Sequence, residues 1–178
     1  MSVSVAAIRQ DGICSDWSVE QHIVPAVAEG GTLTSLTCLA DIEAAGARYA
    51  TPDGMNEANG WMTFAPDAAC VLPMQATERW SLEVAFALSP RQDALGNWVM
   101  PDSATILAVT DTDNTIPCAF TPTNVRFGGY SGKYVAGGDR HVLRIVNTGD
   151  VAGLYIDGRY IGETIGLKPG MVAFGSVA

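Results

Sequence analysis

The stretch His141-Val142-Leu143-Arg144-Ile145-Val146 is followed by the turn cluster Asn147-Thr148-Gly149-Asp150 and then by Gly153-Leu154-Tyr155-Ile156-Asp157-Gly158-Arg159-Tyr160-Ile161. Its apolar runs are short and rich in β-branched and aromatic residues, which suit a pleated, half-buried surface. Asp157-Gly158 divides the second run. A type I′ turn needs two consecutive residues at positive φ, and Asp-Gly supplies them, so a tight antiparallel hairpin is predicted at this point. The polar cluster before it closes one strand and opens the next, making three strands in a row.

Working outward, the same reading extends over most of the chain. Trp80, Leu82, Val84, Phe86 and Leu88 alternate with Ser81, Glu83, Ala85 and Ala87, the period-2 pattern of a strand with one core face. Ala104 to Thr110 is apolar on both faces, as in a central strand, and ends in the turn cluster Asp111-Thr112-Asp113-Asn114. Met171 to Val177 reads as a last strand after Lys168-Pro169-Gly170. One or two strands are expected between Trp61 and Leu72, and another within Thr32 to Ala40. Helical periodicity is weak throughout; its best stretch, Asp16 to Ala28, is interrupted by Pro25. Residues 1–30 read as an irregular arm or an extra strand, and residues 31–178 as one domain.

Composition sets the outer limits. The chain has 178 residues, 48% of them hydrophobic, enough for one domain with a full core. Nineteen acidic residues against ten basic ones give a formal net charge of -9, so nucleic acid is not an expected partner. No apolar run approaches the roughly 18–20 residues that cross a bilayer, so no membrane insertion is expected. Met1 to Gln10 lacks a basic region followed by an apolar core, and no secretion signal is expected there. Cys14, Cys38, Cys70 and Cys118 sit in apolar surroundings without C-x-x-C spacing, which favours buried free thiols over a zinc site or disulfides.

The order of segments carries a resemblance. Trp80-Ser81-Leu82-Glu83-Val84-Ala85-Phe86, then Ile106-Leu107-Ala108-Val109, then the His141 strand, then the aromatic-Ile-Asp-Gly hairpin at Tyr155 follow one another as in the laminin G-like, or concanavalin A-like lectin and glucanase, jelly rolls. The match spans about residues 57 to 177, and Gly60 to Pro73 fits the segment that the family places before its first long strand. The resemblance implies an all-β jelly-roll β-sandwich of two antiparallel sheets with little helix. That fold hosts lectins, adhesion modules, hydrolases and virion proteins, so function must be argued from the site.

Glucanases of the superfamily carry their carboxylates on one strand as Glu-x-Asp-x-x-Glu or Glu-x-Asp-x-Glu, whereas Glu83 is followed at alternating positions by Ala85 and Ala87. An exposed, solitary glutamate is expected. No Gly-x-Ser-x-Gly elbow exists, and His22 and His141 are the only imidazoles, with His141 read as structural or solvated. Gly128 to Lys133 lacks the residues of a phosphate loop and reads as a glycine-rich loop. Asp111 and Asp113 could offer hard oxygen ligands, and calcium is the cofactor that such a turn would take, although an acidic turn without metal is the plainer reading.

The remaining hint comes from aromatic side chains in predicted loops, where a sugar's apolar face could stack: Trp98, Tyr130 and Tyr134, with Asn124, Arg126, Asn97 and Ser131 nearby. Trp61 and Trp80 read as core, and Tyr155 and Tyr160 as cross-strand neighbours. Taken together, these residues point to a non-catalytic recognition module for glycan or protein surfaces, not an enzyme, acting outside cells or as a phage tail or other virion component. A structural assembly protein that forms homo-oligomers is the alternative, and a glycoside-active enzyme the third reading.

Overall fold

The computed structural model describes residues 2–5, 33–35, 39–50, 54–58, 61–65, 68–74, 78–88, 90–92, 94–99, 102–111, 114–135 and 139–175. Its first elements are strands β1 (Ser2–Val5) and β2 (Leu33–Ser35), helix α1 (Leu39–Ala44), and strands β3 (Arg48–Ala50), β4 (Met55–Ala58), β5 (Trp61–Phe64) and β6 (Ala69–Pro73). There follow β7 (Trp80–Ala87), β8 (Arg91–Gln92), β9 (Trp98–Val99), β10 (Ala104–Asp111), β11 (Asn114–Phe120), β12 (Asn124–Phe127) and β13 (Tyr130–Lys133). The chain continues through β14 (Arg140–Asn147), β15 (Val151–Ile156), β16 (Arg159–Ile165) and β17 (Pro169–Gly175).

Two sheets make the predicted all-β jelly-roll sandwich. One has six strands in the order β16-β15-β14-β7-β1-β2, and the other seven in the order β13-β12-β11-β10-β17-β6-β3. Alternation in β7 is as expected, with Trp80, Leu82, Val84 and Phe86 buried. Leu82, Leu143, Ile145 and Leu154 of the six-stranded sheet share one core cluster with Leu107, Phe120, Val125 and Phe127 of the seven-stranded sheet. Phe86 and Phe120 meet at 5.0 Å between ring centroids.

Asp157 and Gly158 hold φ of 51° and 75°, and Ile156 pairs with Arg159, so the hairpin has its two-residue turn of positive φ. Ile106 is only half-buried because the register of β10 against β11 shifts between Thr105 and Leu107. Cys70 and Cys118 are buried free thiols; burial pushes the Cys70 thiol up to about 11 and raises that of Cys118 as well. Cys14, Cys38 and the Asp16 to Ala28 stretch lie outside the described residues.

The sheets are antiparallel as expected, apart from β1, which runs parallel to both β7 and β2. Parallel neighbours cannot be joined by a tight turn, and the long segments separating β1 from both partners permit such crossovers. Leu39 and Ala40 do not prolong a strand but open α1, which ends with Ala47 N donating to Ile42 O at 3.2 Å. Six residues are too few for a periodic pattern to stand out; burial of Ile42 anchors this turn-and-a-half to the core. Trp61 is half-buried, not core, with the Arg140 guanidinium carbon 6.0 Å from its ring centroid.

Candidate functional site

The strand pairings bring one set of predicted residues together and separate another. In β12, Val125 and Phe127 are buried, so Asn124 and Arg126 point to the outer face of the seven-stranded sheet. Arg126 pairs with Ser131 and Asn124 with Lys133, which puts the four on the same outer patch. Next to it, Ala119 pairs with both Arg126 and Thr105. A straight row then crosses five strands through Arg48, Val71, Ala173, Ala108 and Pro117. Ala108 is fully buried and Ala173 nearly so, whereas Pro117, Thr115, Arg126, Ser131 and Lys133 are exposed. The middle of the outer face, at Ala108 and Ala173, is therefore closed to solvent, and its hydroxyl, amide and basic groups are accessible on β11 to β13.

Tyr130 and Tyr134 belong elsewhere, and neither occupies an open loop. Gly128 has φ of 55° and Phe127 pairs with Tyr130 across Gly128-Gly129, so the glycine-rich segment is a tight hairpin rather than a loop. Pairing with Phe127 turns Tyr130 inward, and its half-buried ring packs against the core. A Cβ placed on Gly132 or on Gly162 would collide with that ring. Tyr130 thus closes the side of the sandwich between β13 and β16, the edge strands of the two sheets. Trp98 lies in β9, paired to Gln92, and not in a loop; the placement of its side chain falls outside the described residues.

Tyr134 is drawn into a cluster that no sequence spacing announces. The His141 Nδ1–H donates to Asp157 Oδ2 at 2.7 Å, and the Tyr134 hydroxyl donates to the same oxygen at 3.3 Å. Asp157 Oδ1 accepts the backbone N–H of Val142 at 2.8 Å, and Val142 O accepts that of Asp157 at 2.8 Å. Burial first, then the Asp157 carboxylate, raises the pKa of the Tyr134 hydroxyl. Histidine, carboxylate and tyrosine are acid-base chemistry by type, yet His141 Nε2 is buried with no hydrogen-bond partner among the described residues. The cluster pins the hairpin to the start of β14.

Glu83 is not an exposed residue as expected. It pairs with Arg144 at 3.9 Å, each side chain about one-fifth exposed, and burial raises its carboxyl pKa in spite of the guanidinium. Tyr155 and Tyr160 are the expected cross-strand pair, with ring centroids 5.4 Å apart and the Tyr160 hydroxyl donating to Glu163 at 2.9 Å. Asp111 ends β10, but its side chain and the whole of Asp113 lie outside the described residues. Among the described residues no group of three or more His, Cys, Asp or Glu could hold a metal ion. Nor is any described helix long and apolar enough to cross a membrane.

No family model and no curated protein matches the chain. Similar solved structures include the alginate lyase AlgAT5 of polysaccharide lyase family 7, at 14% identity and TM-score 0.46, with 62% of this chain and 56% of the lyase covered. Sheep galectin-11 in complex with glycerol is similar at 11% identity and TM-score 0.41, over 60% of this chain and 89% of the galectin. Domains LG4-5 of the mouse laminin alpha1 chain are similar at 12% identity and TM-score 0.37, over 58% of this chain and 30% of theirs. The chain thus spans little more than half the length of the lyase.

Proposed function

We propose that the protein is a non-catalytic recognition module that acts outside the cell and binds a glycan across the outer face of its seven-stranded sheet. The observation behind this reading is the face itself. Its accessible part lies on β11 to β13, where Asn124, Arg126 and Ser131 offer hydrogen bonds to a ligand beside the exposed Thr115 and Pro117 and the half-buried Ala119. Trp98 is retained as a ligand contact, whereas Tyr130 and Tyr134 are assigned to packing. An array of diverse glycans tests the reading. Binding to at least one linear class is expected, weakened by Asn124→Ala with Ser131→Ala while the melting temperature stays nearly constant.

The alternative is structural assembly, of a virion component or another particle. It is favoured by the outer side of the six-stranded sheet, where Val151 and Ile165 are cross-strand partners exposed to 36% and 74%, beside a half-exposed Tyr160. An array without binding, together with a stable oligomer in light scattering, would make assembly the better reading.

A further inference from the structure

Two cations share the accessible part of the seven-stranded sheet. In the β12–β13 hairpin Arg126 is opposite Ser131 and Asn124 opposite Lys133, so Lys133 stands on the diagonal from Arg126, one same-face position beyond its direct partner. Diagonal neighbours on one face are about 7–8 Å apart, within reach of long side chains. Both cations are exposed, and neither has a hydrogen bond or ion pair among the described residues. The hairpin and the strand before it fall within residues 114–138, which contain no Asp or Glu, although the chain has nineteen. Several basic residues elsewhere meet a counterpart: Arg144 faces Glu83 at 3.9 Å, Lys168 meets Glu78 at 3.2 Å, and Arg140 lies 6.0 Å from the Trp61 ring centroid.

Like charges set side by side repel one another, and no acid on these strands offsets the repulsion. A single anionic group held between the two would replace it with two charge-assisted hydrogen bonds. Neutral donors stand around the same spot. The exposed Ser131 hydroxyl is opposite Arg126, and the Asn124 amide, opposite Lys133, gives one N–H to Thr123 Oγ1 at 3.0 Å and keeps another. Ala119, the partner of Arg126 on its other side, contributes only a methyl group beside the guanidinium. From this juxtaposition we infer that the bound glycan carries one oxyanion, a carboxylate or a sulfate ester, seated between Arg126 and Lys133. The inference rests on the glycan-recognition reading above and names the chemical group that decides the ligand. The site is local and needs no contact beyond β11 to β13. An acidic protein segment fits less well, because protein partners are held by large side chains seated in pockets, and none of Ala119, Asn124, Arg126, Ser131 and Lys133 is aromatic or large and apolar.

The test is an array on which each glycan is printed in neutral, carboxylated and sulfated forms, probed with the full chain at low and at high salt, with poly-glutamate printed beside them. An acidic form should bind about tenfold more tightly than its neutral counterpart and lose that advantage as salt screens the exposed charges. The carboxylated and sulfated rows tell which oxyanion is used. Arg126→Gln and Lys133→Gln should each remove most of the preference, by about fivefold to tenfold, with the melting temperature nearly constant. Arg48→Gln, on the far edge strand of the same sheet, should leave it unchanged. Neutral forms bound as tightly as acidic ones, without response to salt or to either substitution, would overturn the oxyanion and leave glycan recognition standing. Poly-glutamate bound as tightly as the best acidic glycan, through the same two residues, would overturn the commitment to a glycan. No binding to any printed glycan would overturn both readings.

Discussion

Asp157 is the only non-glycine residue with positive φ among those described, and its side chain is committed three times, to Val142, His141 and Tyr134. Asparagine keeps an acceptor for the Val142 N–H and tolerates the left-handed region, while alanine does neither. Asp157→Ala is therefore expected to cost about 2–3 kcal/mol and Asp157→Asn clearly less, read by chemical denaturation; equal losses would mean that the cluster does not hold the turn. Glu83 gives a pH-dependent expectation. Its carboxyl pKa is raised on folding, so the folded state binds the proton more tightly than the unfolded chain. The associated stability is present below the ordinary glutamate value and is lost as pH rises through the raised one. The stability of the wild type relative to Glu83→Gln should be greatest in acid and shrink towards neutrality, measured by denaturation at a series of pH values. The type I′ turn was legible because both of its residues are adjacent; the Glu83–Arg144 pair was not, because 60 or so residues of chain separate partners that only strand register aligns.

At the scale of elements, the two edge strands β13 and β16 meet through Tyr130, Gly132 and Gly162. Gly162→Ala puts a methyl group into the Tyr130 ring and should destabilise by about 1–3 kcal/mol. Because the cost arises from one contact, Tyr130→Ala in the same chain should recover part of it, and a double-mutant cycle by thermal unfolding should show coupling above about 0.5 kcal/mol. Additive effects would place the tyrosine away from that seam. Strands with strict alternation, such as β7, or with a diagnostic turn, such as β15 and β16, could be read directly. The six residues of α1 and the two-residue strands β8 and β9 are too short to show a period, and their conformation follows from what they pack or pair against.

For the whole molecule, the passage from the six-stranded to the seven-stranded sheet runs through Leu167, whose backbone is held by two side chains from elsewhere. Trp80 Nε1–H donates to Leu167 O at 2.9 Å, and Leu167 N–H donates to Asn147 Oδ1 at 2.8 Å. Asn147 Nδ2–H also donates to Glu78 O at 2.6 Å, and the side chain is nearly inaccessible. Asn147→Ala strands two backbone groups in a buried place and should cost about 2–4 kcal/mol in denaturant unfolding. A neutral result would mean that water satisfies both groups. This asparagine read in the sequence as part of a turn cluster; its partners lie 20 and 69 positions away, and only closure of the sandwich brings them within reach.

The sequence by itself determined the all-β class, the strand over residues 80–87, the Asp157-Gly158 hairpin and the acidic balance, because each depends on side-chain alternation, a two-residue conformational preference or a count. Tertiary structure alone decided which candidates share a surface. Asn124 and Arg126 face outward while Tyr130 turns inward, although all lie within seven residues, since alternation around a two-residue turn sends neighbours to opposite faces. The common side of Arg48, Arg126 and Lys133 is hidden from the sequence for the same reason: they are scattered along the chain, and six strand pairings are needed to set them on one face of a sheet.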